Sequence, residues 1–182
     1  MNKLLPFFFL ILFFSDYDTK PDQYIARLGQ VSFFSYTSVE NIEAKNNQVL
    51  SILDLSKNEI GISMLMRGFV FKKSLMHEHF NESYIESDIY PKATFSGKII
   101  DFDATTKEPQ TRMIIGDLTI HGITEKAEIK TTIELIDNHY VLTGEFSVSI
   151  KNFDIKVPPI LSSNIAKNIS IKFRFEYNRY EE

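Results

Sequence analysis

The chain has 182 residues, enough for one domain, and at 43% hydrophobic and 24% charged it is too apolar for a disordered one. A total of 20 Lys and Arg against 24 Asp and Glu gives a formal charge of −4, which argues against nucleic-acid binding, where affinity rests on clustered cations. Cysteine is absent, which excludes thiol nucleophiles, thiolate metal sites, disulfides and a lipidated cysteine.

The first residues read MNKLLPFFFLILFF. Lys3 is followed by an apolar run from Leu4 to Phe14, short of the roughly 20 residues that span a bilayer. The run suits a secretory signal peptide over residues 1–15 and no stable membrane span, so the protein is expected in the periplasm or secreted. The cleavage site is weak, with only Ser15 before Asp16, and a retained anchor or a misplaced start is the other reading. No linker, charge run or repeat divides the rest, which reads as one domain over residues 20–182.

Alternation with period two, the mark of strands with one buried face, dominates that domain. Strands are predicted at 30–36, 48–55, 59–69, 93–102 and 113–121, with turns at 45–47 and 56–58. Three cleaner ones follow. Ala127, Ile129, Thr131, Ile133 and Leu135 alternate with polar neighbours, and Asp137-Asn138 signals a turn. Tyr140, Leu142, Gly144, Phe146, Val148 and Ile150 then alternate, as do Ile169, Ile171, Phe173, Phe175 and Tyr177. The expectation is an all-β protein of about eight antiparallel strands. Closing them into a barrel would bury one apolar face and remove the edges, and a two-sheet sandwich is the alternative.

Residues 74–83, SLMHEHFNES, break the pattern with good helix formers and no β-branched side chain. Ser74 can cap a short helix whose apolar stripe is Leu75, Met76, His79 and Phe80. A second helical turn is expected at 162–167, after Pro158-Pro159.

Chemistry-bearing motifs are scarce. His77 and His79 would point to opposite sides of a helix, so joint metal ligation is not expected, and Asn81 spoils the zinc-protease pattern. His121 and His139 stand alone at strand ends. Asp101, Asp103 and Thr105 open like a calcium loop, but Thr106 replaces its glycine and Arg112 its bidentate glutamate, leaving a polar turn. There is no nucleophile elbow, Walker loop or dinucleotide fingerprint. The reading is therefore not an enzyme, with no cofactor and no metal.

What remains is the apolar face. An eight-stranded barrel has room for side chains or one small ligand. The candidate lining is Phe33, Met64, Met66, Phe69, Phe95, Phe146 and Phe173, with Met76 and Phe80 from the helix and Leu118 and Ile120 from the strand at 113–121. Composition leaves open a barrel packed solid with these rings.

Two motifs then stand out: Tyr90-Pro91-Lys92-Ala93-Thr94-Phe95, and Gly116-Asp117-Leu118-Thr119-Ile120-His121-Gly122-Ile123-Thr124. In order and spacing they resemble the paired signatures of the YceI-like, polyisoprenoid-binding proteins, and Leu75 through Ser87 is similar to the helix and loop that lead into the first. The resemblance covers about residues 23–178. It implies a lipocalin-like, extended eight-stranded antiparallel barrel with one short helix, usually exported, whose apolar tunnel holds an isoprenoid chain such as a polyprenyl phosphate or a quinone tail. Pro91 would fix the start of a strand, Gly116 and Gly122 would permit a bulge and a turn, and Thr119 and Thr124 would bond to local backbone. The chain departs from the family at 150–155, IKNFDI, where an Asn-Arg-x-Asp-Phe-Gly-like stretch is common. The function expected is an exported carrier of an isoprenoid-like lipid. The alternative is a filled barrel acting as a stress-linked or protein-interaction module. The oligomeric state is not set by the sequence, and a homodimer is one option.

Overall fold

The computed structural model describes residues 22–36, 41–157 and 166–180. The expected leader at 1–15 and residues 162–165 of the helical turn expected at 162–167 lie outside them; Ala166 and Lys167, which are described, are not helical. Among the described residues nine strands form one sheet: β1 (Gln23–Ser35), β2 (Ile42–Asp54), β3 (Glu59–Leu65), the two-residue β4 (Val70–Phe71), β5 (Lys92–Ile99), β6 (Gln110–Ile120), β7 (Ile123–Ile136), β8 (His139–Ser149) and β9 (Asn168–Arg179). The order β1-β9-β8-β7-β6-β5-β3-β2 closes because β1 also pairs with β2, all antiparallel, and β4 adds a short rung to β2. The eight long strands thus make a closed barrel and not a sandwich. The one α-helix among the described residues, α1 (Ser74–His79), runs into a π-turn at Phe80–Tyr84, where the Ile85 amide donates to the Phe80 carbonyl at 2.9 Å. No helix among the described residues is long and apolar enough to cross a membrane.

The hairpins follow from the turn residues. β7 and β8 are joined by Asp137 and Asn138 at φ 46° and 67°, and β6 and β7 by His121 and Gly122 at φ 52° and 74°. Two central residues at positive φ match the twist of the flanking strands.

Several local expectations are corrected. Residues 45–47 are not a turn but part of β2, opposite the register shift of β1 between Gly29 and Val31. Asn46 is fully buried there, donating from Nδ2 to the Leu65 carbonyl at 2.9 Å and accepting the Gln48 amide at 2.9 Å. A buried amide with both ends bonded stays in the core, where an unbonded one would be driven to a surface turn. The strand expected at 59–69 stops at Leu65, and Met66–Gly68 is a 3₁₀ turn held by Asn46 beneath Leu65 and by the Met66 amide on the Pro91 carbonyl. Ser74 is the first helical residue and caps nothing; Lys73 precedes it in extended geometry. Leu75 points to solvent. Thr119 and Thr124, opposite one another across β6 and β7, bond through their hydroxyls at 2.8 Å and not to backbone.

Gly116 makes no bulge. It pairs in register with Gly97 on one side and Ala127 on the other. A Cβ there would lie 2.2 Å from the Ser96 carbonyl and 2.8 Å from the Phe95 ring, so the glycine pair is a floor on which Phe95 rests. Gly61 has nothing within 4 Å of the same position. We therefore expect Gly116→Ala to lower stability by about 1–3 kcal/mol through overpacking, and Gly61→Ala to change it by less than about 1 kcal/mol. Urea midpoints of the two variants measure this; equal effects would refute the close-packing account.

One half of the barrel interior is solid. Phe173, Phe175 and Tyr177 form a ladder along β9, with centroids 5.5 and 6.2 Å apart. Tyr177 is fully buried, and its hydroxyl meets the Ser51 hydroxyl at 2.6 Å while Ser51 donates to the Gly61 carbonyl. Burial pushes the Tyr177 phenol well above the usual tyrosine range, so it stays a neutral donor. Leu53, Ile60, Ile114, Ile133 and Leu142 fill the space around it, and Tyr24, Tyr140 and Phe102 pack edge to face near that end.

Candidate functional site

The opposite end of the barrel, where β1, β3, β6 and β8 finish and β2, β5 and β9 begin, holds a cavity of about 300 Å³. Its wall follows from strand periodicity. Val31, Phe33 and Ser35 are the inward side of β1, and Ile169 and Ile171 that of β9, with Val148, Ile42, Met64, Ala93 and Ile120 completing the ring. Across the mouth lie Met76, His79, Phe80, Tyr84 and Ile85 of the helical segment. The 3₁₀ turn Ile150–Phe153 and the residues after it add Ile150, Phe153, Ile155 and Val157.

Four phenylalanines bind the helical segment to the barrel. Phe80 stacks on Phe33 at 5.5 Å and meets Phe69 at 5.7 Å and Phe71 at 5.1 Å, while Phe33 meets Phe69 at 5.3 Å. Such offset and edge-on pairs add about 0.5–1.5 kcal/mol each beyond the area they bury. The helix is short because the π-turn takes over at Phe80 and turns its ring down into this cluster.

Among the polar groups in the lining, Ser35 is buried and its hydroxyl accepts the Ala166 amide at 3.1 Å. Tyr84 is half-buried, and burial raises its phenol above the ordinary tyrosine value. His79 sits at the exposed rim, and the exposed His77 ring meets Phe71 edge-on at 5.9 Å.

His121, a lone histidine by sequence, pins two parts of the cavity wall. Its Nδ1 donates to the Phe153 carbonyl at 3.0 Å, its Nε2 lies 2.9 Å from Glu86 Oε2, and the Tyr90 ring meets it edge-on at 4.4 Å. Phe153 and Ile85, the neighbour of Glu86, both line the cavity. The Asp103 loop is a polar turn: its carboxylate accepts the Thr105 amide and hydroxyl at 2.9 and 2.7 Å, which holds the acid below its usual value.

Of the residues expected to line a cavity, Phe33, Met64, Met66, Phe69, Met76, Phe80 and Ile120 are brought together here. Phe95, Leu118, Phe146 and Phe173 are not. Phe95 covers Gly97 and Gly116, and Phe173 covers Gly144, where a Cβ would lie 2.5 Å from its ring. Phe146 meets Phe173 at 6.3 Å and shares with Leu118 a separate groove over β6, β7 and β8. Facing inward is thus not enough, because rings opposite glycines are taken up in filling the gap that the missing side chain leaves. Sequence reasoning did not single out the remaining lining residues, among them Ile169 and Ile171 of β9, Tyr84 and Ile85 of the helical segment, and Phe71, Phe153 and Ile155. Phe71 was hidden by the turn that ends β3, and Phe153 and Ile155 by the departure at 150–155.

The model of the YceI-like domain matches residues 26–177. The chain belongs to the YceI-like family. Solved structures agree on the fold. A polyisoprenoid-binding domain from Saccharophagus degradans, implicated in plant cell wall breakdown, superposes with a TM-score of 0.75 at 11% identity, over 88% of this chain and 100% of that one. BcnA of Burkholderia cenocepacia gives 0.69 at 18%, over 82% and 96%. The YCEI protein of Campylobacter jejuni gives 0.63 at 13%, over 81% and 90%. No curated protein matches the chain in sequence. Within the YceI-like barrel, the signature residues here serve the scaffold: Gly122 turns the β6–β7 hairpin at φ 74°, and Pro91 precedes β5 and accepts the Met66 amide.

Proposed function

We propose that this YceI-like protein is an exported carrier that sequesters an isoprenoid-like lipid in the cavity at one end of its barrel. The observation that carries the reading is the cavity itself, walled by aliphatic, methionine and phenylalanine side chains from every described strand except β7 and covered by a helical segment. An isoprenoid chain offers repeating branched CH₂ and CH₃ groups, and each CH₂-sized unit moved from water gains about 0.8 kcal/mol. Methionines suit such a wall because they adapt to irregular apolar shapes. The polyisoprenoid-binding description of the Saccharophagus degradans domain supports the same ligand class. No covalent chemistry is assigned to the site. Export rests on the Lys3 and Leu4–Phe14 pattern and places the carrier in the periplasm or outside the cell.

The test is native mass spectrometry of protein purified gently from a host that makes isoprenoids, followed by organic extraction and identification of the lipid. A stoichiometric isoprenoid or quinone is the expected result, on a polypeptide shortened at its N-terminus by a leader-sized mass. A clean protein mass that stays unchanged after addition of polyprenyl phosphate and quinone would move the assignment to the stress-linked or interaction module.

A further inference from the structure

The barrel wall is not continuous at the end that holds the cavity. β7 and β8 pair in register from Ile136–His139 to Thr131–Gly144, and there the ladder between them stops. Beyond that point β7 stays paired with β6 as far as Ile123, and β8 stays paired with β9 as far as Ser149. Two strand edges thus face one another without a ladder, in a fold whose closure otherwise removes edges. The groove over β6, β7 and β8 lies on this split. It is lined by Lys126, Glu128 and Ser147 of the outward rows and by Ala127, Phe146 and Val148 of the inward rows. Successive side chains of a strand point to opposite faces of the sheet, so a groove that touches both rows of both strands passes through the wall.

Phe153 and Val148 line this slot and the cavity alike. Phe153 is the partition between them. It is buried, and it belongs to the 3₁₀ turn Ile150–Phe153, which packs against β7 and β8 where they part. The two covers of the cavity are held differently. The helical segment is fixed by the four-phenylalanine cluster, and the chain on either side of it by the Met66 amide on the Pro91 carbonyl and by the Arg67–Asp88 ion pair. The 3₁₀ turn is tied to the barrel by the His121 Nδ1 bond to the Phe153 carbonyl at 3.0 Å and by the Ile150 amide on the Lys167 carbonyl at 3.1 Å. A short turn tied by a few hydrogen bonds opens at a lower free energy than a packed element.

We infer that the split between β7 and β8 is the portal of the cavity: lipid enters and leaves through the side of the barrel when the Ile150–Phe153 turn swings out, and His121 pins that turn shut. The inference rests on the carrier reading. Leu118, Ala127, Phe146 and Val148 line the slot, so a chain in passage stays against apolar side chains.

The test uses the absence of native cysteine. Glu125→Cys on β7 and Asn152→Cys on the turn place two thiols at exposed positions that both line the slot, and a short bis-methanethiosulfonate reagent ties the turn to β7. Loading and release of the neutral apolar fluorophore N-phenylnaphthylamine are followed by stopped-flow fluorescence. The tether should slow both rates by at least about tenfold while the equilibrium affinity stays within about twofold, since a gate alters the path and not the end states. Dithiothreitol, which cuts the tether, should restore both rates, and capping the two thiols separately with methyl methanethiosulfonate should leave them unchanged. A tethered protein that loads as fast as the capped one overturns the portal and leaves the carrier reading intact. Failure of the unmodified protein to bind either the fluorophore or farnesol overturns both. His121→Gly removes the pin without backbone strain, because His121 sits at φ 52°. Release should then quicken about threefold to tenfold, the loss of roughly one hydrogen bond from the closed state. Unchanged release would overturn the role assigned to His121.

Discussion

Phe175→Ala is expected to cost about 3–5 kcal/mol, a large share of the 5–15 kcal/mol that holds a typical domain together. Phe175 has no exposed surface, lies between Phe173 and Tyr177, and fills the space over Gly29, where a Cβ would come within 2.2 Å of its ring. Neighbours cannot easily collapse into the void, because the β9 backbone at Phe175 is held by its pairing with Leu142 on β8 and Gly29, on the bulged stretch of β1, has no side chain to move in. Phe80→Ala removes the same ring from the partly buried helical segment at the other end, beside a cavity already present, and is expected to cost about 1–2 kcal/mol, below the range for fully buried rings. Urea denaturation of both variants checks the contrast. Equal losses would show that stability is not concentrated in the solid half. The division matters for function, since a barrel braced at one end can keep a cavity at the other.

The same division explains what could be read from the sequence. Strand number and antiparallel pairing were legible because β7, β8 and β9 alternate over long runs, and the Asp137-Asn138 turn marks their hairpin. The signatures at 90–95 and 116–124 were legible as fold signals, and Gly122 and Pro91 act in the scaffold. Alternation states that a side chain faces inward but not at which height along the barrel. Phe173 and Ile171 are neighbours in one inward row of β9, yet Ile171 lines the cavity and Phe173 covers Gly144. That difference is set by a partner on the neighbouring strand β8, through the Gly144–Phe173 register. Asn46 misled for a related reason. Asn-Asn is a turn signal by composition, and only the carbonyl of Leu65, brought in by β3 and the 3₁₀ turn, makes a buried position tolerable. Local signals therefore located elements well and heights, bulges and ends poorly.

Ile171→Trp should remove lipid binding while leaving the barrel folded. Ile171 is half-buried on β9, paired with Phe33 on one side and Phe146 on the other, and its side chain borders the cavity. An indole there projects into about 300 Å³ of space shared with Phe33, Val148 and Ile169 and takes up volume that a ligand chain would need. Displacing as little as two CH₂ units of ligand forfeits about 1.6 kcal/mol, roughly tenfold in affinity. Filling a cavity adds contacts, so the melting temperature should hold or rise. Phe173→Leu is the matched control: it lies two residues away on the same inward row but outside the cavity, so it should lower stability and leave affinity within about twofold. The two variants are compared by calorimetric titration with the lipid extracted from the native protein and by thermal melts. Binding that survives Ile171→Trp and falls in Phe173→Leu would place the ligand in the other half of the barrel and overturn the assignment of the site. The reverse pattern ties binding to the end of the barrel at which the helical segment, the four-phenylalanine cluster and the His121 bridge converge.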